Sequence, residues 1–78
     1  MKKLLEFLIT SIVSHPNKVK IQENQEGDFV NLSLKTHPDD IKIIIGRGGR
    51  TIRAIRNLIR TKAAKQGKKV NLIIEEKS

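Results

Sequence analysis

Leu4, Leu5, Leu8, Ile9 and Ile12 recur at helical spacing, which predicts an amphipathic helix over residues 2–14. Phe7 and Val13 fall outside that apolar arc. Either they are simply exposed, or the helix offers a second apolar face to another subunit, a common source of stability in small domains. His15-Pro16-Asn17 ends the helix, because the residue before a proline is pushed out of the α region. Residues 18–23 then alternate, with Val19 and Ile21 on one side and Lys20 and Gln22 on the other, as in a half-buried strand. A turn is expected over residues 24–28. Val30, Leu32 and Leu34 alternate beyond it as a second strand, and the short connection predicts an antiparallel hairpin.

Thr36-His37-Pro38-Asp39-Asp40 has the chemistry of a helix start. Proline suits the first helical position, and the two carboxylates complement the positive end of the helix dipole. His37 would lie near the N-cap as a boundary residue without chemistry of its own. Ile41, Ile44 and Ile45 form the apolar side of a short helix that stops at Gly46. A longer helix is predicted from about residue 49 to residue 66, with Ile52, Ile55, Ile59 and Ala63 on one face and Leu58 at its edge. Gly67 is its stop signal. Val70, Leu72 and Ile74 alternate as a last strand, followed by a polar tail, Glu75-Glu76-Lys77-Ser78. The order helix, strand, strand, helix, helix, strand predicts an α+β two-layer sandwich with helices on one face of the sheet. The last strand follows a helical crossover, so it can lie parallel to a hairpin strand and make the sheet mixed.

Between the two later helices lies Ile44-Ile45-Gly46-Arg47-Gly48-Gly49-Arg50-Thr51-Ile52. Glycines permit a close approach to the main chain and positive φ. The start of the following helix has unpartnered N–H groups that favour an anion such as a phosphate. A Gly-x-x-Gly by itself is a weak motif, since many such runs are only turns.

Charge placement strengthens the reading. The 78 residues carry 16 Lys+Arg and 8 Asp+Glu, a net of +8. Ten of the basic residues and none of the acidic ones lie between Ile41 and Ile74; the remainder has six basic and eight acidic. A basic half joined to a near-neutral half implies a polyanionic partner: RNA, DNA or an anionic membrane. Arg53, Arg56 and Arg60 cluster on one side of the long helix, with Arg50 beside them. There are no cysteines, which excludes disulfides and thiolate metal sites and favours a reducing compartment. No stretch approaches the roughly 20 apolar residues of a membrane span. Met1-Lys2-Lys3 before Leu4-Leu5 faintly suggests a signal peptide, but Glu6 interrupts the apolar run and no small-residue cleavage site follows. A cytoplasmic protein is expected, with one domain over residues 1–78. His15 and His37 are isolated in sequence and suggest no metal site. No nucleophile–base pair, carboxylate pair or ligand cluster points to an enzyme, a cofactor or a small-molecule substrate.

The element order and the loop together resemble the KH domain, whose GxxG loop clamps about four nucleotides of backbone. Two aliphatics, Gly46-x-x-Gly49, two further residues and the aliphatic Ile52 meet the family pattern, and a basic residue inside the loop, Arg47, is usual. A leading helix and a closing strand match the type II arrangement, α-β-β-α-α-β. Within that family the chain is similar to the small bacterial KhpA-type RNA-binding proteins. It shares their Pro38-Asp39-Asp40 helix start and the exit Ala63-Ala64-Lys65-x-Gly67-Lys68-Lys69-Val70.

The resemblance implies binding of single-stranded RNA with low sequence specificity. It also implies a homodimer and/or a heteromer with a KhpB (Jag)-type protein, and an RNA-chaperone or post-transcriptional role linked to cell shape and cell-wall homeostasis. The RNA site it implies comprises Ile45, Gly46, Arg47, Gly48, Gly49, Arg50, Ile52, Arg53 and Lys42. The N–H groups of Arg47, Gly48 and Gly49 would face phosphates; Ile44, Ile45 and Ile52 would line the apolar side of a groove with Leu32 and Leu34 on its strand side, at least two of the five, such as Leu32 and Leu34, being plain core. Arg56 and Arg60 would face solvent or a partner. Phe7 and Phe29 are both remote from the loop, so base stacking of the kind used by RRM or OB folds is not expected. Two other classes stay open. One is a helix-turn-helix DNA binder built on residues 41–45 and 51–60; the other is a protein-interaction module whose basic face meets an acidic partner.

Overall fold

Helix α1 (Lys2–Thr10) opens the computed structural model, which describes residues 1–75. Strands β1 (Lys20–Glu26) and β2 (Phe29–Lys35) follow, then the short helix α2 (Ile41–Ile45), the long helix α3 (Arg50–Lys65) and strand β3 (Lys69–Glu75). Single 3-10 turns precede β1, α2 and α3, at Pro16–Lys18, Pro38–Asp40 and Arg47–Gly49. The sheet order is β1-β2-β3, antiparallel between β1 and β2 and parallel between β2 and β3, so the sheet is mixed as expected. Of the expected polar tail, Glu75 belongs to β3 and residues 76–78 lie outside the described residues.

The helices pack on one face of this sheet. β2 is central and its alternation decides the layer: Val30, Leu32 and Leu34 are buried, while Phe29 and Lys35 at its ends are exposed. Leu5 and Ile9 of α1, Ile44 of α2, and Ile52, Ile55 and Ile59 of α3 close over them in one continuous core. Each fully buried Leu or Ile contributes about 1.5–3 kcal/mol relative to leaving it in water.

Three boundaries differ from the sequence pattern, each for a local reason. α1 stops at Thr10 rather than residue 14. The hydroxyls of Thr10 and Ser11 donate to the carbonyls of Glu6 and Phe7, 2.7 and 2.6 Å away. The amides of Ser14 and His15 are drawn off the helix to the Asp40 carboxylate. This early stop exposes Ile12 and turns Val13 inward against the core. The first strand begins at Lys20 rather than Lys18, because Pro16–Lys18 form a 3-10 turn. It then runs to Glu26, because the hairpin closes through only Gly27 and Asp28, with Glu26 paired to Phe29. The sequence assigns Asn24, Gln25 and Glu26 to the turn, yet ladder pairing with β2 holds them extended.

Asp40 is the one buried polar or charged side chain among the described residues, with 0% exposure. The sequence marked it as a helix-start residue. In the fold it accepts the N–H groups of Ser14 (3.0 Å) and His15 (2.9 Å) and faces His15 Nδ1 at 3.2 Å. It thereby ties the end of α1 to the start of α2. Burial pushes this carboxyl up, but the Ser14 and His15 amides and the His15 ring outweigh it and hold the group below the ordinary aspartate value. A depressed folded value means the carboxylate stabilises the fold above the unfolded value of about 4. That contribution is lost as pH falls through the folded value. Asp40→Asn is therefore expected to melt lower than the parent at pH 7 and to show a flatter stability profile below pH about 4. Thermal melts at a series of pH values check this; parallel profiles for the two proteins would refute it.

His15 and His37, far apart in sequence, stack with ring centroids 4.0 Å apart and planes 11° apart. His37 Nδ1 accepts the N–H of Asp39 at 3.1 Å, so this histidine is the side-chain cap of the 3-10 turn at Pro38–Asp40. The pair is isolated in sequence but not in space, and its visible bonds hold the α1–β1 and β2–α2 connections together.

Candidate nucleic-acid interface

The loop is a sharp change of direction between α2 and α3, and the backbone shows why it is built from glycine. Gly46 sits at φ 75°, ψ 173°, a region essentially closed to residues with a Cβ. A Cβ there would meet the Thr51 side chain, with its Cβ at 2.8 Å, and the Thr51 amide nitrogen at 2.9 Å. Gly46 is thus needed to bring the end of α2 against the first turn of α3. Gly48 and Gly49 are left-handed as well, at φ 63° and 79°, but a Cβ on either would meet nothing within 4 Å. The outer side of the loop is open space.

The donors divide in the same way. Gly46 N–H closes α2 on the Lys42 carbonyl, and Gly49 N–H donates to the Gly46 carbonyl at 3.1 Å. Arg50 N–H donates to the Arg47 carbonyl. The N–H groups of Arg47 and Gly48 have no partner among the described residues. The expected set of three outward amides is therefore corrected to two, since Gly49 spends its own on holding the turn.

Arg47, Arg50, Arg53 and Lys42 are exposed, and none has an ion pair among the described residues. Ile45 is half-buried beside the loop. Ile52 is only 6% exposed and belongs to the core, so it supports the loop from beneath and offers almost no surface. Ile44, Leu32 and Leu34 are fully core, which settles their divided reading. Of the apolar groove residues, Ile45 is the one left with appreciable surface.

Helix α3 has three distinct sides. Ile52, Ile55, Ile59 and Ala63 are buried. At 100° per residue, Arg53 and Arg60 fall within about 20° of one another on one flank, and Leu58 lies about 140° around from Arg53 on the other. Arg56, on the basic flank, is half-buried and donates from Nη2 to the Leu72 carbonyl of β3 at 3.3 Å, so it ties helix to sheet rather than facing solvent or a partner. Charge patterning alone could not separate it from Arg53 and Arg60.

The sequence pattern of the KhpA/KhpB, KH domain family matches residues 2–74. The chain belongs to this family. It is 38% identical over 74 residues to the RNA-binding protein KhpA of Halalkalibacterium halodurans, covering 95% of this chain and 97% of that protein. The RNA-binding protein KhpA of Chlamydia pneumoniae is 40% identical over 78 residues, covering 99% of this chain and all of that protein. That of Clostridium acetobutylicum is 39% identical over 70 residues, 90% of this chain and 93% of that protein. The α-β-β-α-α-β order and mixed three-stranded sheet are those of a type II KH domain. Among the described residues no helix is long and apolar enough to cross a membrane.

Proposed function

We propose that the chain is a non-catalytic protein that binds single-stranded RNA through the loop at residues 46–49, with little base specificity. The observation that carries this reading is the loop's divided geometry. Gly46 and Gly49 are used internally, while among the described residues the amides of Arg47 and Gly48 have no partner and the surrounding cations have no ion pair. Arg47, Arg50, Arg53 and Lys42 supply the phosphate contacts, and Ile45 provides an apolar surface for a base. The names of the relatives support the same ligand. The helix-turn-helix alternative loses ground to the fold, because α2 has five residues and the helix pair is embedded in an α+β sheet.

As a single KH domain acting in the cytoplasm, the protein serves as an RNA chaperone or post-transcriptional regulator, linked through its family to cell shape and cell-wall homeostasis. A lone domain of this kind binds weakly, and self-association or pairing with a KhpB (Jag)-type protein raises avidity. Two exposed side chains support a protein contact: Phe7 at 67% on α1 and Leu58 at 52% on the flank of α3 away from Arg53 and Arg60, beside Lys62 and Lys65. A partner seated on Leu58 would leave the arginine flank free for RNA.

The test is the double variant Arg47→Asp, Gly48→Asp against a labelled single-stranded oligonucleotide, with circular dichroism to verify folding. Aspartate tolerates the left-handed conformation at position 48 better than most residues, so the variant is expected to fold. It shifts the loop by three charges and is expected to bind at least tenfold more weakly. Folded variant protein that binds RNA like the parent would reduce the loop to a turn. A protein complex that survives high salt would then move the function to an interaction module. Stronger binding to duplex DNA than to single-stranded RNA would revive the DNA-binding class.

A further inference from the structure

At the far end of α3 from the loop lies a second concavity, of about 370 Å³, lined by Phe29, Arg60, Ala64, Lys68, Lys69 and Val70. We propose that it is a second contact for the same RNA strand, in which one base stacks on the Phe29 ring while Arg60, Lys68 and Lys69 hold the neighbouring phosphates. The proposal rests on the loop reading above and extends it from a four-nucleotide clamp to a longer track.

Three observations converge on it. The first is composition. The pocket joins an aromatic face, 42% exposed, to three cations, with no acidic side chain in its lining and no ion pair to any of the three among the described residues. An aromatic ring beside free cations is the arrangement by which proteins hold single strands without reading sequence. The second is how the pocket is built. Gly67 ends α3 at φ 69°, with Lys68 N–H returning to the Ala63 carbonyl (2.8 Å) and Gly67 N–H to that of Ala64 (3.0 Å). That Schellman cap turns Lys68 and Lys69 back over the helix end. Lys69 N–H then donates to the Asp28 carbonyl at 2.8 Å, which holds the start of β3 against the residue preceding Phe29. The ring and the lysines, 39 and 40 positions apart in sequence, are thus fixed side by side.

The third observation is the route. Arg60 shares the exposed flank of α3 with Arg53, two turns away, and Arg50 stands about 60° beside that flank at the loop. From Arg50 to Arg60 the helix rises about 15 Å, the span of about four to five stacked nucleotides at 3.4 Å each. A strand clamped at the loop therefore reaches the Phe29 ring if it is about ten nucleotides long, and a tetranucleotide does not.

The test compares single-stranded RNAs of four and ten nucleotides on the wild type, on Phe29→Leu and on the loop variant Arg47→Asp, Gly48→Asp. Phe29→Leu is expected to weaken the ten-nucleotide strand about fivefold or more and to leave the tetranucleotide unchanged. The loop variant is expected to lose both lengths. Should it keep both, the loop reading falls, and a separate readout still decides the pocket. That readout places 2-aminopurine at successive positions of the longer strand on the wild type. Its fluorescence should be quenched most at one position, and Phe29→Leu should remove that quenching. If Phe29→Leu fails to fold by circular dichroism, Arg60→Ala with Lys68→Ala is compared on the same two lengths, with the same length-selective loss expected. Equal binding of the longer strand by folded Phe29→Leu, or a wild type with no position-specific quenching, overturns the proposal. Preferential capture of an acidic peptide at the pocket also overturns it.

Discussion

Gly46→Ala is expected to melt far below the parent, whereas Gly48→Ala, two residues on, costs little. At Gly46 two penalties add. The backbone conformation is one that residues with a Cβ scarcely adopt, a strain of about 1–3 kcal/mol. The new methyl also meets Thr51 at its side chain and, at 2.9 Å, at its amide nitrogen. Trimming the Thr51 side chain would not relieve the clash with the backbone, so overpacking adds a further 1–3 kcal/mol or so. Together they are expected to cost about 3 kcal/mol or more, which for a domain of this size lowers Tm by about 12 °C or more. Gly48 carries the left-handed strain alone, about 1–2 kcal/mol, because a Cβ there meets nothing. Part of that is offset by the reduced freedom of the unfolded chain. Thermal melts of the two variants side by side decide the matter. Closely matched midpoints would mean that the turn relaxes around Thr51 and that Gly46 is not the residue shaping the loop.

Binding of single-stranded RNA is expected to weaken steeply with salt, by roughly 50-fold between 50 and 200 mM monovalent salt. The figure follows from the interface. Arg47, Arg50, Arg53 and Lys42 stand exposed and unpaired among the described residues around the loop. Neutralising about four phosphates on a single strand gives a slope of log affinity against log salt near −3. Removing any one of the four cations should make that slope shallower by somewhat under one and weaken all sequences about equally, since phosphate contacts carry no base information. Fluorescence-anisotropy titrations with a tetranucleotide at four salt concentrations measure it. A slope near zero with intact affinity would assign binding to apolar contacts and remove the basic loop from the interface.

The element order was legible in the sequence because its signals are local. The period-2 runs at Val30-Leu32-Leu34 and Val70-Leu72-Ile74, and the helical face of Ile52, Ile55, Ile59 and Ala63, each depend on neighbours within a few residues. The loop was legible for the same reason, since four positions specify the turn. Where the pattern misled, distant atoms had intervened. The end of α1 is set by Asp40, 26 residues beyond Ser14, and the extended form of residues 24–26 is set by pairing to β2. Arg53 and Arg56 have the same local sequence signal, yet among the described residues one has no partner and the other bonds Leu72.

The sequence by itself thus determined the α-β-β-α-α-β order, the inward faces, the glycine loop and the segregation of positive charge. These follow from periodicity, backbone sterics and composition, none of which needs a distant partner. The tertiary structure alone decided which loop amides stay open and that Ile52 is core. It decided that His15 stacks on His37 beside a buried Asp40, and that Phe29 meets Lys68 and Lys69 at the end of the arginine flank. Each of those outcomes depends on atoms brought together across the fold, where burial, hydrogen bonding and packing choose among side chains that look alike along the chain.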